Sequence, residues 1–144
     1  MKKVTAVAHP IQGLIKYHGF RDVDWRLPLH DSISVCTAPF ETRTTLEIRP
    51  DLNEDAVEID GQAVDERTYR RVERVLRQVR QVARREERVL VRSQNSFPSN
   101  IGLGASASGF AALAVAANGA YEAGLSKRQL STVARLGAGS ASRA

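Results

Sequence analysis

The sequence predicts an α+β domain: strand-like segments crowd into the first sixty residues, helix-like segments lie almost wholly after residue 65, and neither a repeat nor a low-complexity linker divides the two. Residues 4–8 and 32–37 read as strands, the second with Ile33 and Val35 alternating with polar neighbours. Residues 42–48 alternate again and place Leu46 and Ile48 on one face, while residues 57–59 run into Asp60-Gly61, a strong hairpin-turn signal. From residue 65 onward Tyr69, Val72, Leu76, Val79 and Ala83 recur at three- and four-residue spacing, and Val75 and Val82 widen the stripe. That is the pattern of an amphipathic helix. Residues 89–92 form a short apolar run suited to another strand, and residues 93–104 read as a loop. Two helices rich in small residues follow, at about 105–123 and 126–136, with Gly124 as a stop for the first and Ser126 as an N-cap for the second. The chain closes on Gly137-Ala-Gly-Ser-Ala-Ser-Arg-Ala144, a Gly/Ser loop with no later element to pack on it, which gives the expectation of a fragment.

Composition narrows the classes. A chain of 144 residues, 42% hydrophobic and 26% charged, has the balance of one ordinary soluble domain rather than of a disordered or fibrous chain. Cys36 stands alone, so no internal disulfide is possible, and a reducing cytoplasm is the expected compartment. The apolar stretch before His9, Pro10 and Gln12 is too short for a signal-peptide core. The longest uninterrupted hydrophobic run, residues 110–117, is far below the ~20 residues a bilayer span requires. No membrane partner is expected.

The net charge of +5 raises the question of nucleic acid. Residues 65–92 hold ten arginines against Asp65, Glu66, Glu73, Glu86 and Glu87, and so contain the whole excess. An arginine-rich outer face of one helix, supported by pairs such as Glu73 with Arg77, explains it as a solvated surface. No aromatic residues interleave with the arginines on that outer face to stack on bases, so nucleic acid is not an expected partner.

Three segments carry chemistry. The first is Pro98-Ser-Asn-Ile-Gly-Leu-Gly-Ala-Ser-Ala-Ser108, between a predicted strand and a predicted helix. Gly102 and Gly104 let backbone approach a ligand, the free amides of a helix start attract anions, and Ser106 and Ser108 add hydroxyls. It is not the Walker pattern, because no Gly-Lys-Ser/Thr follows. Small residues also serve tight helix packing, so spacing alone leaves both readings open. The second segment is the closing run, where Arg143 has the fork geometry for a carboxylate or phosphate. The third is Ile15-Lys-Tyr-His-Gly19 with Arg21-Asp22 and then Leu27-Pro-Leu-His-Asp-Ser-Ile-Ser34, which reads either as a polar pocket wall or as surface.

Together these segments bring a resemblance. Pro98-x-x-x-Gly-Leu-Gly-x-Ser-Ala107 resembles the ATP loop of the GHMP kinase superfamily, which includes galactokinase, homoserine kinase and mevalonate kinase. More narrowly, Ile15-Lys-Tyr-x-Gly-x-Arg-Asp22, Leu27-Pro28 with Ser32-Ile-Ser34, Asn95-x-Phe-Pro98, Gly109-Phe-Ala-Ala-Leu113 and Gly139-Ser-Ala-x-Arg143 resemble the diphosphomevalonate decarboxylase family. The blocks run in family order over essentially the whole chain. The resemblance implies a GHMP-kinase N-terminal domain over residues 1–144, of the same α+β build as some ribosomal domains and without its C-terminal domain. It implies phosphorylation of the tertiary 3-hydroxyl of a phosphorylated mevalonate by ATP and Mg²⁺, followed by loss of that phosphate and of CO₂.

Site roles carry over residue by residue. Gly102, Leu103, Gly104, Ala105, Ser106, Ala107 and Ser108 would hold the ATP phosphates, with Ser106 the best phosphate or metal contact. Arg143 would grip the substrate carboxylate, with Ser140 beside it, and Lys16, the other catalytic candidate, would lie in the same pocket as Tyr17. Tyr17, His18, Gly19, Phe20, Ala138, Gly139, Ser140, Ala141 and Ser142 would line the substrate site, Tyr17 at its phosphate end. Asp65-Glu-Arg-Thr68 also resembles the family's equivalent, which suggests Arg67 as a phosphate contact. The family's catalytic aspartate lies beyond residue 144, so residues 1–144 alone are expected to be inactive. A homodimer is expected for the full-length protein. The departures matter too. The family's second lysine is Phe20 here, its tryptophan is His18, and the first serine of its Gly-Ser-Gly-Ser-Ala segment is Ala138. That lysine and that serine lie near the substrate's diphosphate in the family, and His-Pro-Ile-Gln-Gly at 9–13 resembles the phosphomevalonate decarboxylases. The expected substrate is therefore the monophosphate, (R)-5-phosphomevalonate. The alternatives are a mevalonate 3-kinase, which would stop after phosphorylation, and a non-catalytic nucleotide- or RNA-binding remnant.

Overall fold

The computed structural model describes residues 2–99 and 101–144. Its elements in order are β1 (Lys3–Ala8), β2 (Ile11–Ile15), β3 (Phe20–Asp22), β4 (Leu27–Pro28), β5 (Ile33–Cys36), β6 (Thr42–Ile48), β7 (Ala56–Ile59), β8 (Gln62–Ala63), α1 (Glu66–Ala83), β9 (Val89–Asn95), α2 (Ala105–Tyr121), α3 (Lys127–Gly137) and a closing 3₁₀ turn (Gly139–Arg143). The main sheet has the order β1-β6-β9-β7-β8, with β9 antiparallel to β6 and parallel to β7. Two small ribbons, β2-β5 and β3-β4, lie outside it.

Strand β6 shows how pattern becomes layer. Thr42, Thr44, Leu46 and Ile48 are buried and alternate with Arg43, Thr45 and Glu47, because side chains in a strand point to opposite faces with period two. Register carries this inner face across the sheet. Val4, Leu46, Val91 and Val57 form one apolar row, whereas Ala6, Thr44, Ser93 and Ile59 form the next and Ala8, Thr42 and Asn95 the last. The inner face thus passes from hydrocarbon to hydroxyl and amide along the strands. The polar end is where α2 begins.

Helix α2 lies on that face. Ala112, Ala114, Ala116, Ala117 and Ala120 have no exposed surface, and small residues let its backbone approach the sheet closely. A Cβ on Gly119 would already sit 3.0 Å from Val4 Cγ1. Helices α1 and α3 pack beside it. Asp65 caps α1 by accepting from the Thr68 amide at 2.7 Å, and Val72, Val75, Leu76 and Val79 bury its apolar stripe. Ser126 caps α3 in a capping box with Gln129.

The sequence expectations need several corrections. Strand β9 continues through Asn95 instead of giving way to loop at Ser93, because Ser93 and Asn95 find polar partners on β6: Thr44 and Ser93 share a hydroxyl bond at 2.9 Å, and Thr42 donates to Asn95 Oδ1 at 2.6 Å. Strands β2, β3 and β4 carry no clear alternation and escaped the reading. Val82 is 44% exposed and lies off the apolar stripe. Helix α2 stops at Tyr121, ahead of Gly124, with Glu122 itself in the left-handed region. The closing Gly/Ser stretch is a 3₁₀ turn and not a loop.

Nor is the arginine face wholly solvated. Arg70 pairs with Glu66 and Glu73, and Arg77 with Glu73, as a solvated face would have it. Arg80 instead turns inward, meeting both carboxylate oxygens of Asp55 at 2.8 and 2.5 Å and the Tyr121 hydroxyl at 2.8 Å. Asp55 also accepts from the Val89 amide at 3.0 Å, and Tyr121 donates to the Glu87 carbonyl at 2.7 Å. Burial pushes the Tyr121 phenol up to about 12, with Arg80 opposing. For Arg80 itself burial works against the charge, but the Asp55 hydrogen bonds and charge outweigh it and leave its pKa raised. The network ties α1, α2, β9 and the segment before β7 at one point. Among the described residues no helix is long and apolar enough to cross a membrane.

Candidate functional site

The glycine-rich segment is held from two sides, by the β7-β8 turn and by β2. Asp60, in the β7-β8 turn, accepts from the Asn95 amide at 2.9 Å and from the Ser99 hydroxyl at 3.3 Å. Gln12 on β2 donates from Nε2 to the Gly102 carbonyl at 2.8 Å. Gly104 has φ +75, and a Cβ there would lie 2.8 Å from the Ile11 carbonyl oxygen, so both conformation and space call for glycine. Asn100 of the motif lies outside the described residues. Helix α2 starts at this point with no side-chain cap. Uncapped amides and the positive end of the helix dipole face outward together, which suits a phosphate.

Two clefts flank this segment. On one side an apolar cleft of about 300 Å³ is walled by Val57, Ile59, Val91, Phe110 and Leu113, with Ser106 at its rim. On the other a polar cleft of about 260 Å³ brings together Lys16, Tyr17, Gly102, Gly104, Ser140 and Arg143. Members of all three segments singled out in the sequence meet in this second cleft. It continues into a wider opening of about 510 Å³ that shares Tyr17 and Arg143 and adds His30, Ser32 and Arg135.

Arg143 is the centre of the polar cleft. Its Nη1 donates to the Ser32 hydroxyl, its guanidinium carbon lies 5.8 Å from the Tyr17 ring centroid, and its Nε is buried without a hydrogen-bond partner. Ser34 Oγ is likewise buried and unpaired. Among the described residues neither Arg143 nor Lys16 has a carboxylate at ion-pair distance. An unpaired cation with an unsatisfied donor is a ready acceptor site for an oxyanion. Tyr17 is set by the closing turn: a Cβ on Gly139 would fall 1.6 Å from the Tyr17 hydroxyl, so the phenol lies directly on the glycine's backbone.

Positive charge extends beyond the cleft. Arg71 on α1 stacks 4.7 Å from the Phe110 ring centroid and donates to the Gly137 carbonyl at 2.7 Å. Burial, together with the charges of Arg26 and Arg67, pushes its pKa below the ordinary guanidinium value. Arg67 is exposed in the first turn of α1; Arg71, one turn on, lines the apolar cleft.

Other sequence-derived positions fall differently. His18, Gly19 and Phe20 are exposed, with the Phe20 ring 5.9 Å from that of Tyr17. Leu103 and Ala105 are half-buried, and Ser106 is exposed at the helix start. Ser108 is not: it has no exposed surface, and its hydroxyl is spent on Thr42 at 2.6 Å and on the Ala105 carbonyl at 3.2 Å, so it joins helix to sheet instead of facing a phosphate. Ala107, at 1% exposure, is buried too. Ala138 and Ala141 belong to the main hydrophobic core, and Ser142 binds the Gly139 carbonyl at 3.1 Å. Ala138, Ala141 and Ser142 thus shape the turn. Gln12 is a site residue hinted at only by the unusual His-Pro-Ile-Gln-Gly run, and His30 one marked only by its place in the segment that reads as pocket wall or surface.

Comparison with known proteins agrees with this fold. The family model of the diphosphomevalonate decarboxylase-like N-terminal domain matches residues 8–144. Phosphomevalonate decarboxylase of Haloferax volcanii is 54% identical over 142 residues, covering 99% of this chain and 44% of its own. The crystal structure of mevalonate diphosphate decarboxylase from Staphylococcus aureus superposes with a TM-score of 0.91 at 37% identity, over 99% of this chain and 43% of that one. MDDEF in complex with MVAPP, AMPPCP and magnesium gives a TM-score of 0.88 at 39% identity, over 96% and 42%. The chain therefore spans less than half the length of these relatives. With the ordered blocks, the sheet and helix arrangement and the family match in agreement, the chain belongs to the diphosphomevalonate decarboxylase-like N-terminal domain family.

Proposed function

We propose that this chain is the nucleotide- and substrate-binding half of an ATP-dependent decarboxylase acting on a phosphorylated mevalonate, with the 5-monophosphate preferred. The observation that carries this reading is the position of the uncapped start of α2 between an apolar cleft and a cationic one. A nucleotide laid across it would put its base against Val57, Val91 and Phe110 and its phosphates over the amides of residues 102–106. Mg²⁺ prefers oxygen ligands and keeps several waters, so phosphate oxygens and the exposed Ser106 hydroxyl suffice without a carboxylate cage; bound there, it would neutralise charge on the phosphates. Substrate in the polar cleft would lay its carboxylate on Arg143 and its phosphate toward Tyr17 and Lys16, with Arg67 adding positive charge further out.

The chemistry then follows from bonds made and broken. A tertiary hydroxyl is a poor leaving group until it takes the γ-phosphoryl group of ATP. As phosphate departs with the C–O electron pair, the bond to the carboxylate breaks, CO₂ leaves and its electron pair forms the alkene. Arg143 holds the carboxylate in the orientation that this elimination needs. The general base for the hydroxyl lies, by the family resemblance, outside residues 1–144.

The monophosphate preference rests on Phe20, which sets an aromatic ring beside Tyr17 where a cation would serve a second phosphate. Ala138 adds nothing to it, since that side chain is core. The 54% identity to a phosphomevalonate decarboxylase supports the same choice. The complete reading frame, incubated with ATP, Mg²⁺ and either substrate, should release CO₂ and ADP in equal amounts from 5-phosphomevalonate. Better turnover of the diphosphate would overturn the preference, and ADP without CO₂ would make the protein a kinase.

A further inference from the structure

His30 lies exposed between β4 and β5, and its two ring nitrogens meet partners of opposite kind. Nδ1 is 2.9 Å from the Asp31 carbonyl oxygen, which only accepts, so Nδ1 carries a proton. Nε2 is 3.2 Å from the His18 backbone N–H, which only donates, so Nε2 carries a lone pair. One state satisfies both bonds: the neutral imidazole with its proton on Nδ1.

That ring is a strut between two segments of the polar cleft. The first carries Tyr17, adjacent to His18. The second carries Ser32, two residues beyond His30. Arg143 is held between them, its guanidinium near the Tyr17 ring and its Nη1 on the Ser32 hydroxyl. Elsewhere the two segments are tied by the β2-β5 ribbon, which ends with Ile15 opposite Ile33, and by the Leu29 amide to the Gly19 carbonyl, long at 3.4 Å. Asp31 on the same segment, Tyr17 across the opening, Arg135 of α3 and Arg143 are the ionisable groups that share its wall with His30.

We propose that His30, fixed as the Nδ1–H tautomer, is a positioning residue that holds the Tyr17 and Ser32 segments together beyond the end of the β2-β5 ribbon and thereby aims Arg143 into the substrate cleft. The tautomer and its bonds stand on geometry; the kinetic consequence rests on the cleft being the substrate site. The test uses the complete protein labelled with ¹⁵N-histidine, in mildly alkaline buffer, with His30→Gln to assign the signals. Long-range proton–nitrogen spectra should show the Nδ1–H pattern for His30. An Nε2–H pattern, or an exchanging mixture, overturns the proposal. In parallel, His30→Ala should raise KM for the phosphorylated mevalonate about 10-fold with a smaller change in kcat, and His30→Gln, which can both accept and donate, should recover most of the loss. An unchanged KM in His30→Ala overturns the positioning role. If the complete protein turned over no phosphorylated mevalonate, the functional reading would fail, and the spectra would still decide the tautomer.

Discussion

Gly139→Ala is the sharpest small perturbation that the structure offers. The turn gives Gly139 no left-handed φ, so alanine is acceptable to the backbone itself; the obstacle is Tyr17, whose hydroxyl would lie 1.6 Å and whose Cζ would lie 2.9 Å from the new Cβ. Ordinary contact needs about 3.5 Å, so the phenol must retreat by roughly 2 Å. A displacement of ~1 Å at a binding group can cost about 100-fold in rate, so kcat/KM of the complete enzyme should fall by at least about that factor. Tyr17→Phe removes the clashing oxygen and leaves only the Cζ contact to adjust. In the Tyr17→Phe background Gly139→Ala should therefore cost only a few-fold more. The assay is a double-mutant cycle on kcat/KM, with circular dichroism to confirm that each variant is folded. If Gly139→Ala cost the same factor in both backgrounds, Tyr17 would not rest on the closing turn, and the cleft as described would be wrong.

Three further outcomes follow from named contacts. Asp55→Ala strands the buried Arg80 charge and the Val89 amide, and should cost about 3–5 kcal/mol in urea unfolding, with Asp55→Ala/Arg80→Met recovering much of it. A double variant no more stable than Asp55→Ala would show that the pair is not the unit we describe. Glu87, bonded by Arg85, has its carboxyl lowered from 4.5 to about 2. A depressed folded-state pKa adds stability above the ordinary carboxylate value that is lost as pH falls toward 2, so the advantage of wild type over Glu87→Gln, about 1 kcal/mol at most for so exposed a pair, should shrink across that interval. A gap that widened on acidification would contradict it. Gly104→Ala meets both a positive φ and the Ile11 carbonyl, and should raise KM for ATP about 10-fold or more with the fold retained; an unchanged KM would remove residues 102–106 from the nucleotide site.

Much of this was legible in the sequence where the signal is local. The alternation from Thr42 to Ile48, the Asp60-Gly61 turn and the Ser126 cap each depend on neighbours a few residues away, and each stands in the structure. What escaped depends on distant partners. Arg80 looks like its solvated neighbours until Asp55, 25 residues earlier, is brought beneath it. Ser108 looks like a phosphate ligand until Thr42, 66 residues away, takes its hydroxyl. Strand β2 has no alternation of its own and exists because β5 pairs with it. The candidate site was readable as three motifs, but the reading did not divide them between two clefts, nor show that Ala138 and Ala141 face the core. The Gly139 requirement was likewise invisible, since it comes from the Tyr17 ring and not from the turn.

The most direct test of the central claim is a crystal structure of the complete protein with 5-phosphomevalonate and a non-hydrolysable ATP analogue. The account predicts the substrate carboxylate within hydrogen-bond distance of Arg143, the phosphates of the nucleotide over residues 102–106, and the base in the apolar cleft beside Phe110. A substrate bound elsewhere, with Arg143 still engaged only by Ser32, would contradict it.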